Sequence, residues 1–339
     1  MAGSGSQVHV SQGDERGVNV RTIQRHLAAL LPEARPAGQG EPTLELATQG
    51  NDAPRLISAT VIEGSTLRAR QVSGTPAPAF RAFLDGTQRS ETASYLGTIP
   101  IVVGHVAAVV RERRDRRMHT WGAPLRETRL FAPRSLLSVA QWNALASLPV
   151  AVSDITDGAA SLVAHPFALR EAAFHRVQSH REALERQLAE RWCRTEREPL
   201  FVDGGISGSE AVAVSAYTVG VVKSHRTLYA EGEALGVVLS LAKGARSSVF
   251  RISSPKRTTV ASWYLRIRDH AGKAPMWGLV RVEVAHPEPD AMDRVGARAD
   301  EVSRWVLAEA SPLALPDARW DKMVYGVRDC EEFLRAIRT

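Results

Sequence analysis

The sequence predicts an α/β fold, in which a mixed β-sheet is flanked by helices. Apolar segments of strand length alternate along the chain with longer segments of helical periodicity. Some neighbouring strands are separated only by turn signals, as in hairpins, and this mixture favours a sheet with both parallel and antiparallel pairs. The 339 residues suffice for about two domains or one large one.

The first 79 residues are expected to precede the main domain. Residues 1–17 lack the apolar segment of a secretory signal and are expected to form a disordered tail. Residues 18–34 carry apolar side chains at helical spacing, which predicts a helix. Residues 54–74 read as two strands around Glu63-Gly64-Ser65, so we expect residues 18–79 to form an N-terminal helix and a β-hairpin extension.

The later elements follow from the same periodicities. Strands are predicted at 80–84, 99–103, 200–203, 212–222, 263–268 and 278–284. Helices are predicted at 168–193, 233–242, 297–310 and 329–337. The arginine-rich segment 111–117 is expected to lie on a further helix after the strand at 99–103.

Composition and charge limit the classes of function. No run of 18 apolar residues occurs, which argues against a membrane-spanning helix. Two cysteines, Cys193 and Cys330, and no export signal suit a reducing cytoplasm. A net charge of +6 with arginine in excess makes nucleic acid a reasonable partner, although high-GC genomes also enrich arginine.

Two apolar strands end in the same dipeptide, Asp85-Gly86 and Asp203-Gly204. If the strands are neighbours, both carboxylates meet on one side of the sheet, and a divalent cation such as Mg²⁺ or Mn²⁺ offsets their repulsion. Lys223 ends the strand that follows and is placed to neutralise a phosphate or a developing oxyanion. Because Asp-Gly is also a common turn dipeptide, a simple hairpin between residues 200 and 222 is the alternative.

The longest predicted helix offers a third carboxylate. Its apolar stripe consists of Phe174, Val177, Leu184, Leu188 and Trp192. At 100° per residue, Glu185 lies within about 40° of the centre of the stripe, whereas Glu182 lies about 100° away. A glutamate on the inward edge of such a stripe is usually paired or bound to metal. Glu185 is therefore a candidate metal ligand, and the alternatives are a salt bridge to Arg181 or an edge residue that extends its carboxylate to solvent.

Over residues 80–339 the ordered set of segments resembles the NurA nucleases. The segments that carry the resemblance are FLDG, HREALERQL, LFVDGGIS, VGVVKSHRT, WYLRIR, GLVRVEV and MVYGVRDCEEFLRAI. The resemblance implies an RNase H-like sheet and a site dependent on Mn²⁺ or Mg²⁺. It also implies a homodimer that works on DNA ends with a hexameric HerA-type ATPase, in repair or in defence against phage.

The resemblance assigns roles to individual residues. Asp85, Glu185 and Asp203 correspond to metal ligands, with Glu182 in reserve, and Lys223 and Tyr325 to further catalytic residues. The family usually has a proline after this tyrosine and a histidine further on, whereas Gly326 follows here and no histidine comes later. Three acidic residues are candidates to replace the histidine: Asp329, Glu331 and Glu332.

Basic and aromatic residues give weaker signals for DNA contacts. The candidate phosphate ligands are Arg113, Arg114, Arg116, Arg117 and Arg226, although a solvated basic surface explains them equally well. Trp263, Tyr264 and Trp277 are candidates to stack on unpaired bases, or else core residues. No zinc-hydrolase spacing of histidines and no Walker-type phosphate loop occurs in the sequence.

We therefore expect a metal-dependent deoxyribonuclease. A non-catalytic DNA-binding or adaptor subunit of a motor complex is the alternative, motivated by the missing histidine, and a nuclease acting on RNA or hybrids is a third. The apolar face of the helix at 19–34 is expected to pack on a partner chain or on the ATPase.

Overall fold

The computed structural model describes residues 19–37, 54–156, 163–310 and 324–337. Its helices are α1 (Val20–Leu30), α2 (Val139–Ala146), α3 (Pro166–Thr195), α4 (Glu210–Ala213), α5 (Gly232–Leu239), α6 (Val295–Glu309) and α7 (Tyr325–Ala336). The first strands are β1 (Ala34–Pro36), β2 (Arg55–Leu56), β3 (Thr60–Val61), β4 (Ala69–Gln71), β5 (Ala82–Leu96), β6 (Ile99–Arg114), β7 (Arg117–Thr120), β8 (Leu125–Ala132) and β9 (Ala151–Asp154). The later ones are β10 (Leu200–Asp203), β11 (Thr218–Val222), β12 (Thr227–Leu228), β13 (Ala245–Ser247), β14 (Phe250–Ser254), β15 (Arg257–Arg266) and β16 (Leu279–Ala285).

One large mixed sheet organises the chain, as the sequence predicts. Its main path runs β3-β14-β15-β16-β11-β10-β5-β6-β8-β9. At the centre, β10 pairs in parallel with both β5 and β11, whereas β5 pairs with β6, and β11 with β16, in antiparallel orientation. The fold is therefore α/β, and the parallel strands at its centre are those that carry the two aspartates.

Three hydrophobic cores cover the two faces of this sheet. The first core lies under α3, α4 and α5 and contains Leu84, Leu184 and Val202. The second lies on the other face under α6 and α7 and contains Phe83 and Phe201. Alternating residues of one strand thus enter opposite cores, because successive side chains of a strand point to opposite faces.

The third core joins α1 and α2 to the far ends of β5 and β6. Ile23 and Leu27 of α1 are fully buried there, beside Ile101 and Val103 of β6. The apolar face of α1 is therefore covered by the chain's own strands. The expectation that this face is left exposed for a partner is wrong, because α1 lies over the long β5–β6 pair.

The predicted N-terminal hairpin does not form. Instead, β3 pairs with β14 and β4 pairs with β13, so the two short strands join the far end of the sheet. Glu63, between them, accepts hydrogen bonds from the buried guanidinium of Arg246. Partners about 175 to 190 residues away in the sequence decide the pairing, and such partners are not visible in local alternation. The predicted tail, residues 1–17, lies outside the described residues.

The arginine-rich segment is a hairpin and not a helix. Its first residues end β6, and Arg117 begins β7, which pairs back on β6. Asp115 and Arg116 have φ angles of 47° and 63°, as a tight two-residue hairpin turn requires. Pairing with neighbouring strands therefore overrides the helical propensity of the arginines.

Two further strand predictions need correction. The strand predicted at 80–84 does not end at Asp85-Gly86, because β5 continues through this dipeptide as far as Leu96. Only Thr218–Val222 of the segment predicted at 212–222 is a strand, and Glu210–Ala213 is a short helix. The hairpin alternative for residues 200–222 is also wrong, since β10 and β11 are parallel.

Candidate active site

Asp85 and Asp203 lie side by side on neighbouring parallel strands. Phe201 pairs with Phe83 and Val202 with Leu84, so the next position along each strand places the two aspartates next to each other. Adjacent strands are about 4.8 Å apart. Both aspartates follow the alternation of the two phenylalanines, so their side chains belong to the face covered by α6 and α7.

Burial and neighbouring charge act together on Asp85. Only 8% of the residue is exposed. Burial raises the pKa of this carboxyl well above its usual range, and the negative charges of Asp203 and Glu185 raise it further, against the opposing effects of Lys223 and the Gly86 amide. The Gly86 amide donates a 2.8 Å hydrogen bond to Asp85 Oδ1. Asp85 therefore lies in an environment that resists its ionisation unless positive charge is supplied.

Lys223 supplies one such charge. It follows directly on β11, and its Nζ donates to Oδ2 of Asp203 at 2.8 Å. The two side chains are 21% and 22% exposed, so the pair is partly shielded from solvent. The carboxylate and the lysine at the ends of neighbouring strands, noted in the sequence, thus form a direct ion pair.

Glu185 approaches the aspartates from α3, which packs on the opposite face of the sheet. Its side chain is 14% exposed, whereas that of Glu182 is 47% exposed, so the helical phase predicted from the apolar stripe is confirmed. Glu185 lies directly over Gly86, where an added Cβ would stand 2.3 Å from Glu185 Oε1. The Glu185 carboxyl therefore occupies the space that a side chain at position 86 of β5 would fill.

Arg181, one helical turn before Glu185, forms an ion pair with it. The guanidinium of Arg181 also donates to Gln88 of β5 at 3.1 Å, which fixes its position against the sheet. Burial nevertheless raises the pKa of Glu185 to about 7, because the desolvation of its carboxyl outweighs the attraction of Arg181, and Asp203 adds repulsion. The salt-bridge alternative for Glu185 is thus observed, and it coexists with the electrostatic influence of the two aspartates.

The donor set suits a hard divalent cation in its chemistry, though not in its present arrangement. Among the described residues, no group of three or more His, Cys, Asp and Glu side chains is gathered so that it could hold a metal ion. Asp203 is turned to Lys223 and Glu185 to Arg181. The three carboxylates still influence one another through space, and carboxylate oxygen is what Mg²⁺ and Mn²⁺ prefer.

Helix α7 covers the second-core side of this site. Gly326 lies against the ring of Phe83, where a Cβ would stand only 2.2 Å from Cγ, so the first turn of α7 packs directly on β5. Tyr325 begins this helix and is 41% exposed. Cys330, one turn later, donates its thiol to the Phe83 carbonyl at 3.3 Å. Burial and then the nearby charge of Asp85 raise the pKa of this thiol.

The acidic residues considered as substitutes for the missing histidine are engaged in ion pairs. Asp329 binds Arg111 of β6. The other two pair within α7, Glu331 with Arg335 and Glu332 with Arg328. These pairs account for the acidic run of α7 without a role at the site.

Two of the predicted DNA-binding arginines form ion pairs, and the other three lie at a hairpin turn and beside β12. Arg113 donates both terminal nitrogens to Glu309 at 2.7 and 2.8 Å and lies over the Phe83 ring, so it ties β6 to α6. Arg114 pairs with Glu112. Arg116 and Arg117 are exposed at the hairpin, and Arg226 is half-buried where β12 meets β2.

Residues that the sequence did not single out hold the loop after Asp203. Glu283, 2% exposed, accepts the Ile206 amide at 2.9 Å and pairs with Arg281. A Cβ on Gly205 would stand 3.0 Å from the same carboxylate. The available signal was the spacing of two charges, i and i+2, on one face of the strand GLVRVEV, which otherwise reads as buried.

The aromatic residues proposed for base stacking are mostly internal. Trp263 and Tyr264 are 1% and 0% exposed, so the stacking interpretation is wrong for both and the core interpretation holds. Trp277 is half-buried and lies under Lys273.

No protein-family model matches the chain, and no curated protein matches it at a significant level of similarity. In the part of the chain that the structure describes, no helix is long and apolar enough to span a bilayer.

Proposed function

We propose that this protein is a divalent-metal-dependent deoxyribonuclease of NurA type, with an RNase H-like arrangement of its central strands. The observation that carries the proposal is that Asp85 and Asp203 directly follow the registered pair Leu84 and Val202 on adjacent parallel strands, with Lys223 beside them. Glu185 adds a third carboxylate from α3. One buried and two partly buried acids that repel one another are typical of functional sites.

Asp85, Asp203 and Glu185 would hold Mn²⁺ or Mg²⁺. When bound, such an ion activates water and stabilises the leaving oxygen of a phosphodiester. The residues of the chain prepare for this charge. Burial keeps the carboxyl of Asp85 from ionising alone, and Arg181 holds Glu185 over the sheet until a stronger cation competes for it.

Lys223 has a separate role in this proposal. Its ammonium group lies at the open end of β11, paired with Asp203. With Asp203 serving as a metal ligand, Lys223 would be placed to face a substrate phosphate, where its positive charge favours both binding and the developing negative charge. Tyr325, exposed at the start of α7, is proposed as a further group that contacts substrate.

The proposed setting is the cytoplasm, with a homodimer and a hexameric HerA-type ATPase as partners at DNA ends, in repair or phage defence. These partners rest on the sequence resemblance. The buried apolar face of α1 leaves other surfaces to make such contacts.

The test is cleavage of linear DNA by the purified full chain with Mn²⁺, with and without the ATPase. Asp85→Asn and Asp203→Asn should each lower the cleavage rate by about 10²–10³-fold or more, since each removes a charge that the cation needs. Arg294→Ala, a change at a 78% exposed side chain far along the chain, is the control and should cleave normally. Manganese-dependent cleavage that persists in both aspartate variants would refute the site.

One observation favours a second candidate, a non-catalytic DNA-binding or adaptor subunit. Asp203 and Glu185 already have internal cationic partners. Under this candidate the pairs are structural, wild-type protein binds DNA and the ATPase without cleaving, and Mn²⁺ raises neither its Tm nor its DNA affinity.

A further inference from the structure

The face of the sheet that carries Asp85 has a gap between its two helical covers. Along β6 this face passes from Ile101 and Val103 in the third core, through His105, to Ala107 and Val109 in the second core. His105 is thus the position where neither core closes over the strand, and it is only partly buried.

The neighbouring strands carry polar side chains at the same level. His105 pairs in register with Arg89 on one side and with Thr128 on the other. Ala107, the next position on this face of β6, pairs with Thr87 and Arg126. We call this set the polar seam: Thr87, Arg89, His105, Arg126 and Thr128.

The seam leads to the carboxylates. Thr87 is two residues after Asp85 on β5, and Arg89 is two residues further, so all three side chains share one face. The seam therefore begins about 7 Å from Asp85 along the strand. A chain that crosses β8, β6 and β5 along the seam reaches Asp85 and then Asp203.

The chemistry of the seam is that of a phosphate track. Arg89 and Arg126 are exposed cations, and the side chain of Arg89 is 65% exposed. His105 Nδ1 lies 3.0 Å from the Thr128 hydroxyl, and both groups can bind phosphate oxygens. Arg89 pairs with Glu91, two residues further along β5. None of the five seam residues is Phe, Tyr or Trp, so the expected contacts are to the phosphate backbone and are independent of sequence.

The dimensions of this surface favour single-stranded over double-stranded DNA. From Thr87 to Glu91 this face spans about 13 Å along β5. On one side stands α7, which packs on Phe83, and on the other stands α1, whose Gln24 donates to the Ala93 carbonyl. Helices about 10 Å thick flank the polar seam on both sides. The space between them is too narrow for a DNA duplex.

We propose that the polar seam binds the phosphate backbone of single-stranded DNA and directs that strand to Asp85 and Asp203. The direction toward a cleavage site rests on the proposed nuclease function, whereas the binding itself does not.

The experiment measures binding without cleavage. The full chain is titrated onto a fluorescent single-stranded oligonucleotide in EDTA over a range of salt concentrations. Arg89→Ala/Arg126→Ala should bind about tenfold or more weakly. It should also show a salt dependence shallower by about 1.4 in log–log slope, because about 0.7 is lost for each single-strand phosphate contact.

Two matched variants distinguish a specific role of the polar seam from the effect of a change in overall charge. Arg194→Ala/Arg294→Ala removes the same charge from exposed positions on α3 and beside α6, and should keep both affinity and slope. Arg89→Lys/Arg126→Lys keeps the charge and should recover most of the slope. Equal Tm values for all variants would show that the exposed substitutions leave the fold intact.

Several outcomes would refute the proposal that the polar seam binds single-stranded DNA. One is wild-type protein that fails to bind single-stranded DNA, and another is a seam variant that binds as the control does. A loss confined to duplex DNA would overturn the single-strand assignment. A changed oligomeric state with unchanged DNA affinity would make the seam a contact between copies of the chain. Failure of cleavage with seam-dependent binding would refute the nuclease alone.

Discussion

The two Asp-Gly dipeptides share a sequence and a register but use their glycines differently. Gly86 lies inside a strand of 15 residues, and its missing side chain is the space for Glu185. Gly204 directly follows the end of β10, has a φ of +137° and has open space where a Cβ would stand. One glycine admits a neighbour and the other permits a backbone conformation. The same motif can therefore serve close packing within one strand and an uncommon backbone conformation after the end of another.

The largest effect on cleavage should come from substitution of Glu185, the side chain that packs over Gly86. Glu185→Gln should abolish cleavage, whereas Glu182→Gln, at an exposed position, should change neither activity nor stability by more than about 0.5 kcal/mol. Cleavage assays on both variants measure this. A silent Glu185→Gln would remove Glu185 from the site, and an inactive Glu182→Gln would transfer its role to the other glutamate.

The same glutamate should make stability depend on pH. Its pKa is about 7 in the folded chain against 4.5 ordinarily, so the folded protein keeps a proton that the unfolded chain has lost between these values. Stability therefore falls as pH rises through this window, by up to about 3 kcal/mol. Without divalent ions, Glu185→Gln should be more stable than wild type at pH 7.5, with the difference shrinking toward pH 5. Denaturant unfolding at both pH values checks this, and parallel pH profiles would contradict it.

Substitution of the glycines should separate their two roles. Gly204→Ala should cost about 1–2 kcal/mol through backbone strain. Gly86→Ala should cost about 1 kcal/mol by displacing the flexible Glu185 side chain, and should lower cleavage. In a double-mutant cycle, Glu185→Ala should relieve the cost at Gly86 and leave the cost at Gly204 unchanged. Equal coupling of Glu185 to both glycines would show that the two positions do not differ in this way.

The two aspartate variants should also differ in stability. Without metal, their Tm values should change in opposite directions, an effect smaller than their loss of cleavage. Asp85→Asn removes a carboxyl that burial disfavours in its charged form, so the Tm at neutral pH should rise. Asp203→Asn removes the partner of Lys223 and should cost about 1 kcal/mol. Calorimetry in EDTA measures both. A fall in Tm for both variants would mean that Asp85 is stabilising as a charged group.

Local patterns predicted the parts of the site that depend on one element at a time. The phase of Glu185 follows from the apolar stripe of a single helix, and the Asp203–Lys223 contact follows from two short strands. The arginine hairpin was missed because pairing with β5 and β7 outweighs local propensity. The continuation of β5 through Gly86 was missed because Glu185, from a distant helix, explains the glycine. The polar seam needs the register of three strands, which no single segment contains.

Cys330 gives the molecule an internal chemical reporter. Its thiol is fully buried, is bound to the Phe83 carbonyl and has a raised pKa, so it is a poor nucleophile while α7 stays packed on β5. Cys193 is half-buried and provides an internal reference for alkylation. The rate of alkylation of Cys330, relative to that of Cys193, therefore measures how often α7 separates from β5, the strand that bears Asp85. Mass spectrometry can follow this rate without any engineered probe.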